Sequence, residues 1–183
     1  MVYSVTAMNP RLEEIVKDIE AARSELITMV SDLDESATGA RAAPGQWSIG
    51  EIMHHLVLME NLVTTLLEKQ IPRAKERGIG ADTSTESLVH SLDRFSIETA
   101  ADKLTAPQSV VPAQGLTRGE LLSLLSASRA RLKRAISEAD GIDLGQMHFP
   151  HPVLGRLDMY QWILFVGKHE RRHLAQIARV KGA

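Results

Sequence analysis

The chain has 183 residues, 44% hydrophobic and 24% charged, with Lys+Arg 21 against Asp+Glu 23. That length builds one sizeable core over 1–183, and the balanced charge leaves no basic excess to hold a phosphate backbone, so nucleic acid is not an expected partner. No apolar run nears the roughly 20 residues of a membrane span, the opening MVYSVTAMNP lacks the basic head and apolar body of a signal peptide, and Cys is 0, so a cytoplasmic protein without membrane contact is expected, with any metal site made of His, Asp and Glu.

Helical periodicity recurs along the chain and strand alternation does not. Leu12, Val16, Ile19, Leu26, Val30 and Leu33 fall on one stripe and predict a first helix over about 9–35. SATGARAAPGQ is a small-residue, Gly/Pro connection. Ser48, with Glu51 three residues on, forms a capping box that opens a second helix with the stripe Ile52, His55, Met59, Leu62, Leu66, running to the charged PRAKERG. Between Gly78 and Gly115, TSTESLVHSLDRFSIETAADKL predicts a short helix starting near Ser84, while two prolines make APQSVVPAQG irregular. Thr117 caps a third helix, with Glu120 again at the third position and Leu121, Leu125, Leu132 and Ile136 inside. IDLGQMHFPHPVLGRL is a Gly- and Pro-containing segment, after which the fourth helix runs from about Asp158 to Val180. Four long amphipathic helices argue for an all-α four-helix bundle, and the long connection between the second and third allows a crossover.

The fourth helix contains HERRH, a literal HExxH. His169 and His173 are i and i+4, so both imidazoles leave one face about a turn apart, as chelation requires. Trp162 and Val166 before them, and Gln176 and Val180 after, make that face mostly apolar and turn the histidines inward. A zincin-type protease would need a third ligand downstream, yet LAQIARVKGA, which follows His173, holds no His, Asp or Glu. The protease reading therefore ranks behind one in which the third ligand comes from upstream. His55 lies on the inward stripe of the second helix, where facing helices can aim side chains at one ion; His54 is rotated about 100° from it and falls at the edge. Three neutral imidazoles with one position left for water or substrate form an open divalent site. A single buried histidine is usually just a hydrogen-bonded core residue, but burying three without a shared partner is costly.

Two blocks carry a resemblance. WSIGEIMHHLVLME resembles the second-helix signature of the DinB/YfiT-like superfamily, with Trp47 and Ser48 opening the helix and the ligand histidine at His55. HPVLGRLDMYQWILFVGKHERRHLAQI resembles the C-terminal signature of a DinB-like branch, a His-Pro…Gly turn followed by a helix with two histidines and a Gln-Ile. The likeness runs from about Leu12 to Ile177. It implies a four-helix bundle, usually a homodimer, with a divalent ion on His55, His169 and His173, and activities that include transfer of low-molecular-weight thiols.

Three further residues are candidates for chemistry. Glu51, one turn before His55, could act as a base, although its capping box alone explains a glutamate there. Glu170, the HExxH glutamate, could be catalytic or could pair with Arg134 or Arg171 at the surface. His151 precedes the fourth helix and could carry protons to the metal mouth or be a plain turn residue. Gln176 continues the ligand face and could bond a ligand imidazole; Trp47 and Trp162 are core residues or pocket walls. The expected function is a divalent-metal-dependent hydrolase or thiol transferase that activates water or a thiol against a small-molecule substrate. Zinc or nickel suits best, and iron or manganese also fits three imidazoles. The alternative is a bundle that binds a metal or small ligand without turnover.

Overall fold

The structure is a computed structural model and describes residues 8–99 and 106–182. Helix α1 spans Pro10–Val30, with Asn9 accepting the Arg11 N–H as its cap and Pro10 in the first turn. It stops short of the predicted 35 because Asp34 turns its carboxylate to the Ala37 N–H and caps a second, short helix, α2, Glu35–Gly39. The small-residue connection is therefore partly helical. Leu33, beyond the end of α1, still packs against the core.

Helix α3, Ile49–Glu76, opens with both halves of the Ser48/Glu51 capping box, as the sequence predicts. Its inward face is wider than the predicted stripe and is turned about one residue from it. Leu56, Glu60, Val63, Leu67 and Ile71 are buried, Met59 and Leu66 sit at the edge, and Leu62 is exposed. Helix α4, Arg118–Ala139, carries the Thr117/Glu120 box and fully buries Leu121, Leu125, Leu132 and Ile136. Helix α5 is Met159–Lys181, capped by Asp158.

Residue contacts fix the helix directions. Gly50 faces Leu121 and Glu60 meets Ser128 and Arg129, so α3 and α4 run parallel. Ile19 faces Gly167, Arg23 meets Glu170, and Lys181 Nζ donates to the Met29 carbonyl, so α1 and α5 run parallel. The pairs oppose each other: on α3, His55 lies beside His173 of α5, and Arg129 of α4 reaches the Ile19 carbonyl of α1. A parallel α3–α4 pair obliges residues 77–117 to travel back along the bundle, a distance of about 33 Å for the 22 residues of α4. That return is the crossover the long connection permits.

The connection departs from expectation before it arrives. The short helix expected near Ser84 is not formed over 83–92; a 3-10 turn, Asp93–Phe95, lies later, and residues 100–105 fall outside the described residues. Arg11 takes the Asp82 carboxylate, the Ser84 hydroxyl and the Glu86 carbonyl, and Glu14 takes Ser87 Oγ and the Leu88 N–H, so the polar groups a helix would use are committed to α1. Tyr160 also donates its hydroxyl to Asp82. APQSVVPAQG is irregular apart from a 3-10 turn at Gln108–Val110.

Ahead of α5 the sequence reading missed a hairpin. Strands β1, His148–His151, and β2, Gly155–Asp158, pair antiparallel, with His151 opposite Gly155. Gly155 has φ 77, the left-handed position that closes a three-residue loop. Pro150 and Pro152 hide this pattern in the sequence, yet Pro150 is tolerated because the ribbon is two edge strands and Pro152 lies in the loop between them. Among the described residues no helix is long and apolar enough to cross a membrane.

Candidate metal centre

His169 and His173 lie one turn apart on α5, and the antiparallel α3 brings His55 against them. Ring centroids are 5.2 Å apart for His55 and His169, 5.0 Å for His55 and His173, and 4.6 Å for His169 and His173. One nitrogen from each ring falls within 4.8 Å of the others. A tetrahedral zinc shell, with nitrogens about 2 Å from the ion, spaces them roughly 3.3 Å apart, so the triangle is of the right size. His55 Nε2 and His169 Nε2 are already 3.0 Å apart. Two ring nitrogens at that distance need something positive between them, a proton or a metal ion.

The surroundings select the neutral, ligating form of each ring. Burial lowers the His55 pKa, against the Val110 carbonyl, which raises it. Burial holds His169 well below the usual range, helped by positive charge on His173 and His55. Burial takes His173 down to about 3, with His55 acting in the same direction and Gln176 against it. His55 donates Nδ1–H to the Val110 carbonyl at 2.8 Å, and His173 donates Nδ1–H to Gln176 Oε1 at 2.8 Å. Each bond leaves the Nε2 lone pair facing the shared centre, the outer support that metal-binding histidines ordinarily have. Gln176 was legible from its place one turn beyond His173. Val110 was not, because a backbone carbonyl delivered by a crossover leaves no side-chain signal.

Aromatic rings wall the site. Trp47 lies 4.8 Å from His55 and Phe165 5.1 Å from His169, centroid to centroid. His151 reaches this wall from the hairpin, 4.8 Å from Phe165 and 5.1 Å from Trp162. Its Nδ1 accepts the Val153 and Leu154 N–H groups, which leaves Nε2 as the protonated nitrogen of the neutral ring. Burial lowers its pKa.

The two candidate carboxylates are engaged elsewhere. Glu51 closes its capping box on Ser48 N–H and pairs with Arg41 at 2.6 Å. Burial opposes its ionisation, but the Ser48 bond and Arg41 together hold it below the usual range. Glu170 pairs neither with Arg134 nor with Arg171, whose guanidinium goes to Asp18 and Glu25. It is buried, with one oxygen 2.6 Å from Arg23 Nε and the other 3.0 Å from Arg129 Nη2.

Those arginines also grip Glu60, Arg23 at 3.1 Å and Arg129 at 2.5 Å, which closes a ring of two cations and two anions inside the bundle. Ser128 adds its hydroxyl to Glu60, and the Leu125 and Ile19 carbonyls take one guanidinium each. A cavity of about 10 Å³, room for one water, separates Arg23, Glu60 and Glu170 from His169. The sequence reading missed this ring, though it had a signal. Glu60 falls at helical steps between the buried Leu56 and Val63, and Arg129 between the buried Leu125 and Leu132.

The family model of the DinB superfamily matches residues 18–177. YuaE of Bacillus subtilis (strain 168), an uncharacterised protein, is 27% identical over 164 residues, which span 87% of this chain and 93% of that one. The crystal structure of TT2238, a four-helix bundle protein, aligns with a TM-score of 0.58 at 21% identity over 91% of this chain and 98% of that one, a likeness of fold.

Proposed function

The chain belongs to the DinB superfamily, and from that premise we propose that it is a divalent-metal-dependent enzyme, a hydrolase or low-molecular-weight-thiol transferase, with the ion on His55, His169 and His173. The observation that carries the reading is the shared orientation of the histidines: Nδ1 of His55 and of His173 is committed to an outer acceptor, so their Nε2 lone pairs converge with His169. Zinc or nickel suits this donor set, and iron or manganese is compatible with it.

A bound divalent ion supplies Lewis acidity, which lowers the pKa of a water or thiol toward neutrality. The chain's own residues do the rest. Val110 and Gln176 hold the ring orientations. Trp47 and Phe165 keep one side of the centre apolar, which strengthens any charge interaction there. His151, with its proton on Nε2 and its ring against Phe165, is the group placed to take or give a proton at the mouth. Glu51 and Glu170 are not assigned that task, since each is already held by arginine. The same engagement favours a second reading, a bundle that binds metal without turnover, because it leaves neither Glu51 nor Glu170 free as a base beside the triad.

Elemental analysis of untagged protein tests the site. About one divalent ion per chain is expected, lost in His55→Ala and in His169→Ala. Absence of metal in the wild type after incubation with zinc, nickel and manganese would overturn the proposal. Metal-loaded protein inert toward thiol-transfer and hydrolysis substrates would favour the second reading.

A further inference from the structure

His54 and His55 are neighbours in sequence and point about 100° apart, yet both bond the same stretch of the crossover. His55 donates Nδ1–H to the Val110 carbonyl, and His54 Nδ1 accepts the Ala113 N–H at 2.9 Å. Between these two bonds Val111 is extended, and the stretch has no strand to pair with among the described residues. What else holds it is local: the turn ending at Val110, with its N–H on the Pro107 carbonyl, and the burial of Val110 and Pro112, while Val111 is exposed. The stretch is therefore fixed to the bundle by two buried side chains, Val110 and Pro112, and by hydrogen bonds to two consecutive histidines. Only one of them faces the metal centre.

We propose that His54 is a positioning residue for the metal site: by fastening Ala113 it holds the Val110 carbonyl where it keeps His55 in the Nε2-ligating tautomer. This rests on the metal-site reading above. The crossover makes such a fastening necessary. The Val110 carbonyl is delivered to α3 by the long connection between α3 and α4 rather than by one of the long helices. A carbonyl free to withdraw would leave the His55 ring free to exchange tautomers, and a ring protonated on Nε2 cannot ligate. His54 need only offer an acceptor at Nδ1, a job the Oδ1 of asparagine can do from nearly the same place. A side chain without an acceptor cannot.

The test compares wild type, His54→Ala and His54→Asn in zinc competition against a chelator, alongside hydrogen exchange over residues 107–116. His54→Ala is expected to bind zinc about 10-fold more weakly, the lower end of what losing an outer partner costs, with faster exchange over that stretch. His54→Asn is expected to recover most of both. Equal zinc affinity in all three proteins overturns the role of His54 while the metal site stands. A wild type that binds no zinc overturns both. Weaker binding in His54→Ala with unchanged exchange and no recovery by asparagine would also sink the inference, since the loss would then not run through the Ala113 bond.

Discussion

Replacing Glu170 with glutamine removes one charge from a closed ring and almost nothing from its shape. The four members, Arg23, Glu60, Arg129 and Glu170, are 8%, 1%, 5% and 1% exposed, so bulk water cannot stand in for the lost partner. In the wild type two guanidiniums face two carboxylates, and burial, which by itself would weaken the Arg129 cation, is outweighed by Glu60 and Glu170. The variant leaves two buried cations with one buried carboxylate, Glu60, and with the half-exposed Glu20, 3.1 Å from Arg129. Breaking a buried pair in this way costs about 3–5 kcal/mol, which at 2–4 °C per kcal/mol for a chain of this size lowers Tm by roughly 6–20 °C. The assay is thermal and urea unfolding followed by circular dichroism, with metal content measured on the same samples. Metal content is expected to hold, because both Glu170 oxygens point to arginines and not to the triad. Adding Arg129→Met restores one cation to one anion, so the double variant is expected to lose less than the two single losses added together. A Glu170→Gln protein with wild-type stability would refute the reasoning. If it also lost a metal-dependent activity, the glutamate of HERRH would be chemical after all.

Acid should destabilise the metal-free protein earlier than carboxylate titration alone would. His173 is held at about 3 in the fold against 6.5 in the unfolded chain, and His55 and His169 are displaced in the same direction. Groups depressed on folding give stability that is complete above the unfolded pKa, so it is lost as pH falls from about 6.5 toward 3, by up to about 1.4 kcal/mol per pH unit for each histidine. Urea unfolding at pH 7, 6, 5 and 4 reads this directly, and a flat profile would contradict the buried, neutral triad. At Gly167 an added Cβ would lie 2.9 Å from Asp18 Oδ2 and 3.3 Å from Ile19 Cα. Alanine there gains about 1 kcal/mol of helix propensity but drives α1 off α5, so a net loss of about 1–2 kcal/mol is expected in urea unfolding, and a stabilised variant would show the contact to be soft.

The sequence was enough to place the four long helices, which rest on local periodicity and capping chemistry, though not the short helix that Asp34 caps. Both capping boxes, at Ser48/Glu51 and Thr117/Glu120, open the helices they announce, because side chain and backbone satisfy each other within four residues. The i, i+4 spacing puts His169 and His173 on one face for the same reason. The all-α bundle followed from four such stripes. Other features had no local cause. The segment after Asp82 is held out of a helix by Arg11 and Glu14, about 70 residues away in the chain. The hairpin before α5 is two short strands that pair only with each other, too brief and too rich in proline to show an alternation.

The site divides along the same line. The three histidines could be named from spacing and stripe alone, but a face one residue off the predicted one on α3 buries Glu60, which joins Arg23, Arg129 and Glu170 from the three other long helices. No single helix shows that its charge has partners, so only the assembled bundle turns four isolated oddities into a neutral ring. Likewise the carbonyl that orients His55 belongs to a crossover, and its position follows from two helix pairs running parallel, a fact of chain path that residue identities do not encode. Local chemistry chose the three candidate ligand histidines; tertiary structure decided which carboxylates were left free beside them, and neither Glu51, held by Arg41, nor Glu170, held by Arg23 and Arg129, was.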